Sequence, residues 1–147
     1  MFERLFESAG PLNERLQRDG PFASGSAIIA RAREILAELP EQDQIAVINA
    51  HPRIGERTEN LSAASFREQG ADRDATPPEV LRRLALLNEE YEAKFGFRFV
   101  VFVNRRSKAA IVPLLEARLR GTRDEERRTA LREIVAIAED RLTRGDK

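Results

Sequence analysis

The residues best equipped for chemistry lie between positions 50 and 72, AHPRIGERTENLSAASFREQGAD. His51 is the single histidine of the chain, and histidine is the side chain whose ordinary pKa lets it give or take a proton near neutral pH. Ser65, Glu68 and Gln69 follow at spacings of three and four residues, which on a helix bring all three polar groups to one face. A histidine facing such a cluster suits proton transfer to a small polar molecule. The same residues have plainer readings. His51 before Pro52 can fill a polar niche at a helix end, and Ser65-x-x-Glu68 is itself a capping-box pattern.

Two arginines stand on or beside apolar stripes. Arg118 follows Ile111 by seven residues and Leu114 by four, and Arg141 stands in the same relation to Ile134 and Ile137. An arginine so placed either snorkels its head to water or offers a planar fork to an anion in a pocket. The charges from Arg123 to Arg128 read most simply as a solvated helix face.

The elements that must position these groups are helical. From Ser26, apolar residues at Ile28, Ile29, Ala32, Ile35, Leu36 and Leu39 recur at three and four, the mark of an amphipathic helix. Pro40 breaks it. A second helix through Ile45, Val47 and Ile48 must end near His51, because Pro52 biases the residue before it away from helical geometry. The carbonyls at that helix end would favour a protonated His51. Thr76-Pro77-Pro78-Glu79 reads as a helix start with Thr76 as cap, and Gly96 closes the helix whose face carries Leu84, Leu87, Asn88, Tyr91 and Phe95. Ser107 caps the next helix, and Thr122 with Glu125 opens the last. Phe97 to Val103 has strand-like composition with no second strand in view, so it reads as one extended, buried connector whose amides need other partners. Before these, Phe2, Leu5, Phe6, Leu12 and Leu16 mark two short helical pieces interrupted by Gly10-Pro11.

The expectation is an all-α, single-domain bundle of about seven helices over residues 1–147, with one short extended segment at 97–103 and a frayed tail from 143. The chain is long enough to bury a core. Basic and acidic residues number 25 each, a balance that argues against non-specific nucleic-acid binding. The absence of cysteine rules out disulfides, zinc-thiolate sites and thiol nucleophiles, and one histidine rules out a His-rich metal site. No long apolar run or signal-like start appears, so a cytoplasmic protein without membrane partners is expected.

HPRIG followed by SxxEQ, LNEEYEAKFGFRFVVFV and a closing EDRL together resemble the 2-oxo-4-hydroxy-4-carboxy-5-ureidoimidazoline (OHCU) decarboxylases of urate breakdown. The resemblance spans residues 22–142, while residues 1–20 look shortened relative to that family. It implies cofactor-independent, metal-free decarboxylation of a small ureidoimidazoline carboxylate to (S)-allantoin, by an enzyme expected to form a homodimer. His51 and Glu68 would be catalytic, with His51 delivering a proton to one face of the ring. Pro52, Ser65, Phe66, Arg67, Gln69, Phe99, Val100, Val101, Phe102 and Val103 would bind substrate. Arg141 would neutralise its charge, with Arg118 as the alternative. Arg53 and Ile54 depart from the acidic residue and leucine that many relatives carry after HP. A decarboxylase or hydrolase of another ureido heterocycle and a non-catalytic helical binding module are the competing readings.

Overall fold

The computed structural model describes residues 2–55 and 76–144, the side chain of Glu3 excepted. Among the described residues there are seven helices and no strand: α1 Phe2–Phe6, α2 Gly10–Asp19, α3 Gly25–Glu38, α4 Glu41–Asn49, α5 Pro78–Phe95, α6 Lys108–Arg118 and α7 Arg123–Thr143. The architecture is an all-α bundle. The long helix α7 packs against α1, α3, α4 and α5, and it is the element on which the site is hung.

Local chemistry sets most of the boundaries. Ser24 accepts a hydrogen bond from the Ala27 amide at 3.1 Å, so α3 begins at Gly25, slightly ahead of the start expected at Ser26. Gly96 closes α5 with φ of 81°, a left-handed conformation that glycine adopts without strain. Thr122 and Glu125 form a reciprocal capping box at the head of α7. Thr76 is not the cap of α5. Pro77 occupies that position with ψ of 143°, since Pro78 forces the residue before it out of helical geometry. The two N-terminal pieces are fully packed: Leu5, Phe6, Ala9, Leu12 and Leu16 have no exposed surface.

The 97–103 segment runs without helix or partner strand among the described residues, and side chains take up several of its backbone groups. The Arg98 amide donates to Asn49 Oδ1 at 2.9 Å, and the Phe102 amide to Glu133 Oε1 at 3.1 Å. The Val100 carbonyl accepts from Arg118 Nη1 at 2.8 Å. Arg118 also donates from Nε to Glu126 at 2.7 Å, and its guanidinium lies 4.6 Å from the Phe99 ring centroid. Tyr91 donates its hydroxyl to the same Glu126 carboxylate at 2.7 Å. Arg118 is therefore a structural clamp, not a snorkelling surface residue. The charged face at the head of α7 is equally engaged: Arg123 donates to the Phe95 carbonyl and Arg127 to Gln44, each at 3.0 Å, and both pair with Glu41 of α4.

Large exposed hydrophobics among the described residues come to Leu81 and Leu86 on α5. That is far less than the contiguous apolar face a helical docking module requires.

The clamp predicts a stability cost. Arg118→Ala leaves the Glu126 carboxylate, whose side chain is only 6% exposed, without its main partner. Urea unfolding should show a loss of about 3 kcal/mol, the order found when one partner of a buried pair is removed. A loss below 1 kcal/mol would show that the clamp is dispensable.

Candidate active site

The loop after α4 carries the site. The helix ends at Asn49, and His51 still donates its amide to the Ile48 carbonyl at 3.2 Å before Pro52 turns the chain away. The loop is held from several sides. Arg98 Nη1 donates to the Asn49 and His51 carbonyls at 2.9 and 3.2 Å. Asn88 of α5 donates to the Ile54 carbonyl at 3.2 Å, and Arg53 forms a two-pronged pair with Glu92 at 2.6 and 3.0 Å.

Within this frame the His51 ring is buried, with Nδ1 lying 3.2 Å from the Val47 carbonyl. A carbonyl can only accept, so that geometry assigns the ring hydrogen to Nδ1. Nε2 keeps its lone pair and has no hydrogen-bond partner among the described residues. Burial pushes the imidazole pKa down to about 4, with the nearby Glu7 carboxylate raising it, Arg141 lowering it and the Val47 carbonyl raising it. The helix-end carbonyl does act in the expected direction, but burial outweighs it. His51 is therefore neutral at pH 7.

His51, Pro52, Phe99, Val100, Val101, Phe102, Val103 and Arg141 line one pocket, together with Ile54 and Ile137. Arg141 is almost fully buried. It donates from Nη1 to the Arg4 and Leu5 carbonyls at 3.2 Å each, and its Nη2 lies 2.7 Å from Glu7 Oε2. Arg118 does not line this pocket. Ser65, Phe66, Arg67, Glu68 and Gln69 lie outside the described residues.

Three contributors had not been singled out for the site. Ile137 stands one helical turn before Arg141 on the same face, which was signal enough to find it. Ile54 follows Arg53 in the same loop. Glu7 carried no local signal, because it meets Arg141 only through the packing of α1 on α7. Among the described residues no group of three His, Cys, Asp or Glu side chains is arranged to hold a metal, and no helix is long and apolar enough to cross a membrane.

A neutral imidazole with one ring nitrogen unpartnered among the described residues, beside a buried arginine and apolar walls, has the chemistry suited to acid–base work on a small anion. The comparisons with known proteins make this specific. The sequence matches the OHCU decarboxylase family model over residues 1–143, and the chain belongs to that family. It is 31% identical over 141 residues to the 2-oxo-4-hydroxy-4-carboxy-5-ureidoimidazoline decarboxylase of Haloferax volcanii, a match covering 96% of this chain and 84% of that one. It is 33% identical over 139 residues to the uric acid degradation bifunctional protein PucL of Bacillus subtilis, covering 94% of this chain and 28% of that longer protein. The fold superposes on a crystal structure of OHCU decarboxylase in the presence of (S)-allantoin with a TM-score of 0.77, at 25% identity, covering 92% of this chain and 90% of the other.

The depressed His51 pKa fixes a pH dependence. The folded value of about 4 lies below the unfolded value near 6.5, so between the two the unfolded chain binds the extra proton. The contribution from His51 is complete above pH 6.5 and is lost as the pH falls through about 4. Urea unfolding at pH 7, 5.5 and 4.5 should show the stability gap between wild type and His51→Asn shifting in favour of the mutant as the pH drops. A gap that does not vary with pH would contradict a buried neutral ring.

Proposed function

We propose that this chain converts OHCU to (S)-allantoin, with His51 as the proton carrier. One observation carries the residue assignment: the only histidine presents a buried Nε2, without a hydrogen-bond partner among the described residues, in a pocket that also holds Arg141. In the substrate, the ring carbon bearing hydroxyl and carboxylate adjoins the ring carbon that carries the ureido group and is doubly bonded to nitrogen. Breaking the carboxylate bond releases CO2 and leaves its electron pair between the two ring carbons. The C=N pair moves onto nitrogen, which takes up the one proton the reaction consumes.

The enol so formed loses its hydroxyl proton to Nε2 of neutral His51. The resulting imidazolium returns a proton to one face of the ureido-bearing carbon. The products are a ring carbonyl and a single new C–H centre, of S configuration. A neutral resting imidazole suits this order, since it must accept before it donates. The Val47 carbonyl holds the ring in the required tautomer.

Arg141 supplies positive charge for the substrate carboxylate. Pro52 and the Phe99, Val100, Val101, Phe102 and Val103 wall exclude water, which strengthens each charge inside. Glu68 is assigned either to orienting His51 or to the ring and ureido nitrogens, and Ser65 and Gln69 to the ureido and hydroxyl groups. General acid–base transfer of this kind supplies roughly 10²–10⁴-fold, so orientation in the pocket must supply the rest. The same reading makes the enzyme cofactor-independent, cytoplasmic and a homodimer. Light scattering tests the last of these.

The decisive assay supplies freshly generated OHCU to the purified protein and follows allantoin by circular dichroism, where an (S) signal well above the spontaneous background is expected. Racemic product at the background rate would reject the activity. Chelator treatment should leave the rate unchanged. Arg141→Lys, which keeps the charge but loses the fork, should lower kcat/KM at least about tenfold, equivalent to roughly 1.4 kcal/mol of transition-state stabilisation. An unaffected Lys variant would remove Arg141 from substrate binding.

A further inference from the structure

Glu7 is held in a conformation that its side-chain type disfavours. It joins α1 to α2 with φ of 60°, the left-handed region that glycine enters freely and a residue with a Cβ does not. Asn13 pins the turn by donating from Nδ2 to the Glu7 carbonyl at 3.0 Å. A position whose backbone would favour glycine thus bears a carboxylate, with its side chain only 10% exposed. That carboxylate meets the Arg141 guanidinium at 2.7 Å from the opposite end of the chain, while the Arg4 and Leu5 carbonyls at the end of α1 accept from the same fork.

We infer that Glu7 is a positioning residue of the decarboxylase: it fixes the Arg141 fork and offsets enough of its charge for CO2 to leave and for His51 to take up a proton. The inference rests on the decarboxylase reading, and the physics of that reaction explains why such a residue is needed. As CO2 departs, negative charge leaves the carboxylate and spreads into the ring. A guanidinium that grips the carboxylate at full strength stabilises the bound substrate more than the transition state, and so slows the step. The same positive charge opposes formation of imidazolium at His51. Glu7 acts against both effects.

Among the described residues, the charges acting on the His51 ring are Glu7, from the α1–α2 junction, and Arg141, from α7, while Arg98 contacts only its backbone carbonyl. Glu7 favours the protonated ring, and Arg141 disfavours it. The first helix is thus part of the catalytic apparatus, through a residue that need not touch the substrate.

Glu7→Gln in the full chain tests this, since it keeps shape and an acceptor oxygen but removes the charge. The expected result is a split: kcat falls at least about tenfold while KM stays level or drops, the signature of a ground state held too tightly. Because the chain has one histidine, its imidazole NMR signals are unambiguous, and the titration midpoint of His51 should move to lower pH in the variant. Glu7→Gly, which relieves the backbone but also lacks the carboxylate, should lose kcat to a similar degree, so a poorly folded Gln variant does not remove the test. If kcat, KM and the His51 midpoint are all unchanged, α1 is a structural staple and the inference fails. A rise in KM with kcat unchanged would also overturn it. An inactive wild type would instead reject the decarboxylase reading itself, a failure visible before any variant is made.

Discussion

Non-helical backbone buried inside a helical bundle leaves amides and carbonyls that must find partners outside any regular ladder. The 97–103 segment meets this constraint by recruiting side chains: Asn49 from the end of α4, Arg118 from α6 and Glu133 from α7. The recruitment has two consequences. It locks the segment against the helices without a partner strand, and it leaves Phe99 to Val103 as one wall of the pocket. Arg98, on the same segment, then ties down the loop that carries His51 through the Asn49 and His51 carbonyls. Wall and His51 are thereby fixed to each other, the kind of preorganisation on which the proposed proton transfer depends.

The electrostatics of the pocket follow from burial. A ring shielded from water resists charging, so His51 rests neutral, with its tautomer set by Val47. Burying Arg141 has the opposite requirement, because a guanidinium does not lose its charge and must be paired. Glu7 and the last carbonyls of α1 provide that pairing. The N-terminal helix is thus more than packing. It brings the counter-charge that allows an arginine and a neutral histidine to share one small apolar site.

Much of this was legible in the sequence where the determinants are local. The apolar spacing of α3, the glycine at position 96 and the Thr122–Glu125 box act within a few residues, and the elements form accordingly. Even the oddity of 97–103 could be read, because aromatic and β-branched residues without a second strand imply backbone groups in need of partners. What was not legible is long-range. Nothing near Arg118 announces that it will reach back to the Val100 carbonyl and Tyr91. Nothing near Glu7 points to Arg141. The balance at His51 divides the same way: the helix-end carbonyl that raises its pKa is visible in sequence, whereas the depth of burial that outweighs it is a property of the assembled bundle. Thr76 was misread because the restriction that Pro78 places on Pro77 decides the cap position before any side-chain cap can form.

The central claim is that His51 carries the proton that makes the new stereocentre. The most direct measurement is the reaction run in D2O with OHCU generated in place, comparing wild type with His51→Asn by circular dichroism and mass spectrometry of the allantoin formed. The account predicts that wild type yields (S)-allantoin with one deuterium on the ureido-bearing carbon, formed well ahead of the spontaneous reaction. The folded mutant should yield racemic product at the spontaneous rate. A folded His51→Asn enzyme that still makes (S)-allantoin at the wild-type rate would contradict it.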